Sequence, residues 1–512
     1  MLRRTLVAAL ALFAGTAAQA EWMKASSRHF VVYSDDRPEA VKTYAQRLER
    51  FDAAIRSVLA LKTPEVSPSA RVHVFVVPGV SDIQRLSGVS NAAGFYRNDF
   101  ASEVDAFIPR RAGEGDERSL TPQEVMLHEY THHIMYSSFE GIAVPTWFSE
   151  GFAELFATAK FASDGGVTFG APPLYRAYGI DKSNIVPIER LVRRGPDYHD
   201  GLQAQVFYGR AWLLTDYLMF DRDRSKQLAA YIVAINSGKT PEQATQVLGV
   251  TSSLDLKLDG YAHRTQWPAA TIPAEKAVSE EVTVSPLDAG ERAMMPALIR
   301  SRNGVDPRQA QLVIADARRL AAPYPSDPAA QNELAEAEYD AGNFAASEAA
   351  ADRALVADPR SVHALIYKGN ARIAQLKKAG SKDQAAWTTA RRYFLAANKI
   401  EPLYSYPPQL YYESFAAAGT AAPTSAGDGL LWAYRLRPDL YGLRLEAAAV
   451  LLERGDKEAA HVALEPLADS AHGGSGVDLA RKTLTALDAD GTQAALGVLK
   501  HASDATPDDK KS

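Results

Sequence analysis

Apolar residues in the first part of the chain recur at spacings that predict several strands and one long helix. Residues 29–34 and 71–77 predict strands, the second of them buried, and 93–96 and 104–108 predict two shorter ones. Residues 38–61 place apolar side chains at helical spacing, so they predict an amphipathic helix with a buried stripe of Ala45, Leu48, Phe51, Ile55 and Leu59. Strands followed by helices predict an α+β domain.

A further helix is predicted after a polar loop at 109–119. Thr121 is followed by proline and then by Glu124 at the third helical position, which together form a capping box. About two turns into this helix stands the sequence His-Glu-Tyr-Thr-His at 128–132. Because positions four apart share one helical face, its two histidines can bind one metal ion, and its glutamate can reach a water at that ion.

The next predicted helix, residues 144–155, offers a third ligand. Glu150 lies eighteen positions after His132, and an antiparallel return of this helix presents its carboxylate to the metal. Glu154 stands one turn later on the same face, where it can accept a hydrogen bond from a ligating histidine. The alternative arrangement, with a third histidine six positions after His132, is absent because that position is Ser138.

The two helices together resemble the gluzincin metallopeptidases, and more narrowly the peptidase MA-like group of secreted bacterial proteins. The second helix contributes the sequence Trp-Phe-Ser-Glu-Gly-Phe-Ala-Glu at 147–154. The resemblance extends over 22–265, but its specific part is 127–157. It implies one zinc ion with the ligands His128, His132 and Glu150, the general base Glu129, and Glu154 behind the ligands.

The resemblance also implies how a peptide bond would be hydrolysed, by water that zinc activates and Glu129 deprotonates. Such enzymes donate a hydrogen bond to the oxyanion from a downstream tyrosine or histidine. Tyr208 is the first candidate, and Tyr198 and His199 are weaker ones, although Tyr208 fits an ordinary core position equally well. His133 points about 100° away around the helix and is expected to be structural. Two imidazoles favour zinc, while iron, cobalt and manganese stay open.

The catalytic domain is predicted to span 21–267, with further helices at 204–220, 226–236 and 241–248. The proline-punctuated segment 268–304 is predicted to be a linker.

The rest of the chain is alanine-rich and repetitive. Asp-Pro pairs at 327 and 358 recur 31 positions apart, with small residues between them, and residues 305–490 resemble tetratricopeptide repeats. The copies are degenerate, and one is stretched by an insertion at 377–382, so a plain irregular helical bundle is the alternative. Residues 491–512 are predicted to form a C-terminal segment that is disordered at its end.

Residues 1–20 predict a secretory signal peptide. Arg3 and Arg4 precede a short apolar run at 6–13, and an Ala-Gln-Ala cleavage site follows at 18–20. Export to the periplasm, or secretion, is therefore expected. Cleavage removes two arginines and changes the formal charge from −6 to −8, which offers nucleic acid no basic surface. No second segment of the sequence is long and apolar enough to cross a membrane.

Cysteine is absent, which excludes disulfides, a thiolate metal site, a cysteine nucleophile and a lipoprotein anchor. The sequence thus predicts an α+β zincin-like domain followed by an all-α, tetratricopeptide-like repeat domain. The expected function is an exported zinc metallopeptidase that acts on a peptide or protein substrate, with repeats that bind substrates or partners. Two alternatives are a non-catalytic scaffold with a vestigial or structural metal site, and a metal-dependent hydrolase of cell-wall amides.

Overall fold

The computed structural model describes residues 21–90, 92–97, 104–110, 118–180, 186–192, 201–249, 251–470 and 474–504. The expected signal peptide, the loop that holds Tyr198 and His199, and residues 505–512 lie outside the described residues. Within the described ranges, no helix combines the length and the apolar character that a membrane crossing needs.

Two sheets are present among the described residues. Their strands are β1 (Met23–Ser26), β2 (Phe30–Ser34), β3 (Val72–Val77), β4 (Phe95–Arg97), β5 (Val104–Pro109), β6 (Lys160–Phe161), β7 (Val167–Phe169), β8 (Ala270–Ile272) and β9 (Thr283–Pro286). The larger sheet has the order β4-β5-β3-β2-β1-β9, and the smaller has the order β6-β7-β8. β2, β3 and β5 run parallel, whereas β1, β4 and β9 pair antiparallel.

Helices cover both faces of the larger sheet. Those of the first part of the chain are α1 (Pro38–Val58), α2 (Val80–Ser87), α3 (Pro122–Ser138), α4 (Thr146–Ala157), α5 (Ala177–Ile180), α6 (Ile188–Leu191), α7 (Gly201–Met219), α8 (Arg222–Ile235), α9 (Pro241–Thr245), α10 (Thr251–Ala262) and α11 (Ala289–Arg302). Phe51 of α1 and Leu127 of α3 share one core with Val74, while Ile83 of α2 and Met295 of α11 share another with residues of the opposite face. Because both faces are covered, β3 is apolar at five of its six positions rather than at alternate ones.

The segment 268–304, expected to be a linker, is instead part of the fold. It contributes β8 to the smaller sheet, β9 to the larger sheet and α11 to the core of the second face. The prolines that suggested a linker fit these elements: Pro286 ends β9 at a sheet edge, and Pro273 directly follows β8. Short strands flanked by prolines carry too weak a pattern for sequence analysis to separate them from a linker.

Eleven further helices occupy the described part of the chain after residue 305. They are α12 (Pro307–Ala321), α13 (Pro328–Asp340), α14 (Phe344–Ala357), α15 (Val362–Lys378), α16 (Gln384–Ile400), α17 (Tyr406–Ala417), α18 (Thr424–Leu436), α19 (Tyr441–Glu453), α20 (Lys457–Ala468), α21 (Ser475–Ala489) and α22 (Thr492–Asp504). Each packs against the next, so the predicted helical-repeat region is confirmed. The repeats continue through α22 and thus pass the expected boundary at 490.

The two Asp-Pro pairs have different local roles. Asp327 is the N-cap of α13, where its side chain accepts a hydrogen bond from the Ala330 amide and proline takes the first helical position. Asp358 instead ends α14, and Ser361 caps the following helix. Both Asp-Pro pairs therefore mark helix boundaries, but the two aspartates do not share one capping role.

The helical repeats pack directly onto the domain that precedes them. The Ser69 amide and hydroxyl both donate to the Glu401 carboxylate, at 3.0 and 3.1 Å. Asn303, which follows α11, donates to the Leu86 carbonyl at 2.6 Å. These contacts hold the repeats against the sheet.

Candidate metal centre

Helix α3 begins where the sequence predicts. The Thr121 hydroxyl accepts a hydrogen bond from the Glu124 amide at 3.2 Å, and the Glu124 carboxylate accepts one from the Thr121 amide at 2.8 Å. This reciprocal capping box fixes the first turn of α3 and hence the rotation of the histidines along the helix.

His128, His132 and Glu150 converge on one point between α3 and α4. The Nε2 atoms of the two histidines are 3.2 Å apart. The Glu150 Oε2 atom is 3.3 Å from Nε2 of His128 and 3.4 Å from Nε2 of His132. Glu150 is 1% exposed and thus approaches the imidazoles from inside the protein.

The three distances fit the edges of a zinc coordination tetrahedron. Zinc bonds to nitrogen and oxygen of about 2.0–2.1 Å place neighbouring ligand atoms about 3.3–3.4 Å apart in tetrahedral geometry. Two imidazoles with one carboxylate are also the donor set of a catalytic zinc site that keeps a fourth position open. The residues present therefore fit a zinc ion.

The electrostatic surroundings of the site also favour a cation. Burial disfavours a charged His128, but the hydrogen bond to Glu150 and the charges of Glu154 and Glu129 outweigh this effect and raise the pKa of His128 to about 9. The same carboxylates stabilise any positive charge at the triangle of donor atoms.

Glu154 lies behind His128, as expected from the sequence. Its Oε1 atom is 3.5 Å from the Nδ1 atom of His128. Two residues that sequence analysis missed hold this carboxylate: the Tyr175 hydroxyl donates to it at 2.7 Å, and the Arg176 guanidinium at 2.9 Å. Arg176 also donates to Gln205 at 2.9 Å, which connects Glu154 to α7.

A further residue missed by sequence analysis supports His132. The Ser149 hydroxyl is 3.2 Å from Nδ1 of His132, and it forms a 2.7 Å hydrogen bond with the Tyr136 hydroxyl. Since Ser149 directly precedes Glu150, one turn of α4 provides both a ligand and the group that orients another ligand. The only sequence signal for this role is that adjacency.

Tyr208 reaches the site from α7. Its ring meets the His128 ring edge to face, with 6.2 Å between the centroids, and the Arg176 guanidinium lies 4.5 Å from its centroid. The charge of Glu150, followed by burial, raises the pKa of Tyr208 above its usual value. The charge of Glu129 also contributes to the raised pKa of Tyr208 and to that of His128.

Two helices cross closely at Gly151. A Cβ atom there would lie 2.3 Å from the Thr215 hydroxyl and 2.4 Å from the Ala211 carbonyl oxygen of α7. This glycine lets α4 and α7 approach and places Glu150 and Tyr208 on the same side of the site.

We expect Gly151→Ala to destabilise the protein by about 1–3 kcal/mol, because the extra methyl group overpacks the α4–α7 crossing. It should also weaken zinc binding, since Glu150 is the preceding residue. Chemical denaturation and zinc titration measure the two effects. Gly260→Ala is the matched control, because nothing lies within 4 Å of its added Cβ in α10. If the two variants had the same stability and the same zinc affinity, the α4–α7 crossing would not be what positions Glu150.

His133 faces away from the metal centre, consistent with the structural role expected for it. Its Nδ1 atom is 3.3 Å from the Asp439 carboxylate, which also binds the Arg437 guanidinium through contacts of 2.7 and 2.8 Å. Helix α3 therefore contributes ligands to the candidate metal centre on one side and contacts the helical repeats on the other.

Comparisons with known proteins find similar chains among solved structures only. No family model matches the sequence, and no curated protein matches it. The chain is similar to a solved thermophilic TPR protein of Thermus thermophilus, with 16% identity, 38% of this chain and 100% of that chain covered, and a TM-score of 0.33. It is also similar to pilF of Pseudomonas aeruginosa, with 16% identity, 43% of this chain and 93% of that chain covered, and a TM-score of 0.32.

Proposed function

We propose that the protein is an exported zinc-dependent peptidase whose helical repeats are packed onto its catalytic domain. The observation that carries this proposal is the triangle of donor atoms from His128, His132 and Glu150. Glu129 directly follows the first of these ligands in α3. A zinc ion held there supplies hydroxide near neutral pH and polarises a carbonyl oxygen.

The residues around the site have distinct tasks in this proposal. His128, His132 and Glu150 hold the ion, and Glu154 and Ser149 fix the orientation of the two rings. Glu129 accepts a proton from the attacking water and passes it to the leaving amine. Tyr208 donates a hydrogen bond to the developing oxyanion; its raised pKa keeps the phenol protonated, as a donor must be.

The repeats and the amino terminus complete the proposal. Repeated helices present extended surfaces that suit a protein partner or a protein substrate. The amino-terminal pattern of 1–20 favours export, with the periplasm as the first expectation and secretion as the second.

A second candidate is a non-catalytic helical-repeat scaffold. The observation that favours it is the run of eleven consecutive helices among the described residues, α12 to α22, in which each helix packs against the next. In that case the histidines and Glu150 form a structural metal site. A purified protein that contains zinc but cleaves no member of a broad peptide library would favour the scaffold.

Removal of the metal tests the peptidase proposal. We expect a chelator to abolish hydrolysis of an unfolded protein substrate and added zinc to restore it. Glu150→Gln should remain inactive after the same zinc addition, because an amide oxygen is a weaker and uncharged ligand. Hydrolysis that persists in the metal-depleted protein would exclude a zinc-dependent mechanism.

A further inference from the structure

A second group of metal-binding side chains lies where the repeats meet the other face of the large sheet. Glu333, Glu336 and Asp340 occupy one face of α13, since they are three and four positions apart, and His363 lies in the first turn of α15. We name these four residues the interdomain acidic cluster. Ligand atoms of Glu333, Glu336 and His363 lie within 4.8 Å of one another, and Nε2 of His363 is 3.2 Å from Oε2 of Glu336.

Three members of the interdomain acidic cluster have a buried oxygen that makes no hydrogen bond to the described residues: Glu333 Oε2, Glu336 Oε1 and Asp340 Oδ2. The Arg302 Nε atom lies 3.9 Å from Glu336 Oε1, which is beyond hydrogen-bond distance. Glu336 is 1% exposed, so its carboxylate is almost completely removed from bulk water. A buried polar group that lacks a hydrogen bond costs about 1–3 kcal/mol, and more when it is charged. Several such atoms at one place indicate a cation as their shared partner.

The charges around the interdomain acidic cluster support the same inference. Five carboxylates meet three basic side chains there: Asp105, Glu291, Glu333, Glu336 and Asp340 against Lys24, Arg71 and Arg302. Burial lowers the pKa of His73 well below its usual value, so this neighbour is neutral at pH 7. Counted without the histidines, carboxyl groups therefore outnumber basic side chains by five to three in this region.

We propose that Glu333, Glu336 and His363 bind one divalent transition-metal ion that ties α13 to α15 at the place where the repeats meet the large sheet. Imidazole together with carboxylates suits zinc, manganese or iron. A cavity of about 320 Å³ beside Glu336 and His363 leaves room for water to complete the coordination shell.

Metal stoichiometry tests this proposal independently of the peptidase. The mature chain, stripped with a chelator and titrated with zinc in a calorimeter, should bind two ions. His128→Ala/His132→Ala removes the first site and should leave one ion bound, and Glu336→Gln in that background should leave none. A manganese spectrum by electron paramagnetic resonance on the double-histidine variant provides a second signal.

Glu338→Gln is the matched control, because Glu338 lies on the same helix and its carboxylate binds Arg318 at 2.7 Å. It should retain the ion that Glu336→Gln loses. His363→Ala replaces a residue that is 20% exposed, so it provides a milder variant if Glu336→Gln does not fold. The proposal is overturned if the double-histidine variant binds no metal, or if its bound metal survives both Glu336→Gln and His363→Ala.

Discussion

Glu129→Gln is expected to abolish peptide hydrolysis while the protein retains its zinc. Glutamine preserves the size of the side chain but cannot accept the proton of the attacking water, and general acid–base catalysis contributes about 10²–10⁴-fold to a rate. Glu129 is not among the three side chains whose donor atoms form the coordination triangle, so zinc affinity should change little. The measurement is the turnover of an unfolded protein substrate, together with zinc content by elemental analysis.

Glu140→Gln is the control for this experiment, since Glu140 is exposed in the loop that follows α3. It should retain both activity and zinc. Undiminished hydrolysis by Glu129→Gln would end the peptidase proposal, and the scaffold would then be the better description. Loss of both activity and zinc would show instead that Glu129 has a structural role at the site.

Asp439→Asn is expected to cause the largest loss of stability. Asp439 and Arg437 are buried at 4% and 6% exposure, and the carboxylate receives two hydrogen bonds from the guanidinium. Burial opposes ionisation of Asp439, but the charge of Arg437 and the contact with His133 hold its pKa below the usual range. Removal of one partner from a buried ion pair leaves the other charge uncompensated, at a cost of about 3–5 kcal/mol. Chemical denaturation monitored by circular dichroism measures the change.

Asp428→Asn is the matched control on α18. Its salt bridge with Arg454 has side chains that are 62% and 34% exposed, so its loss should cost only about 0–1 kcal/mol. Asp439 contacts His133 on α3, so Asp439→Asn should also lower the zinc affinity of the candidate metal centre. Asp428→Asn should leave that affinity unchanged. Similar denaturation midpoints for the two variants would contradict a structural role for the buried contact.

Local sequence signals predict part of the site well. The capping box of α3 depends on residues three positions apart, and the histidine spacing depends on one helical turn, so both follow from short-range geometry. The prediction of Glu150 needed more than local geometry, because its position depends on how α4 returns against α3. Arg176 and Tyr175, which hold Glu154, lie in a polar stretch without periodicity, and no local signal identifies them.

The strands of the large sheet show the same contrast between local signals, which the sequence reveals, and long-range contacts, which it does not. Strands that are apolar at most positions, such as β3, are evident in the sequence. By contrast, β1 and β9 are four residues long and polar at alternate positions. Their pairing joins residues more than 250 positions apart, which no local pattern specifies. The contact of His133 with Asp439 is equally remote in sequence. Long-range pairing, rather than weak propensity, sets the limit of prediction here.

The pairing of β9 with β1 has a consequence for how this protein can be divided. A gene truncated after codon 267 would encode every ligand of the candidate metal centre, yet its product would lack the outer strand of the large sheet and the helix beneath it. The bared edge of β1 would then be free to recruit strands from other chains. The parts of the chain before and after residue 267 therefore depend on each other for folding, and neither is expected to serve as an independent module in another protein.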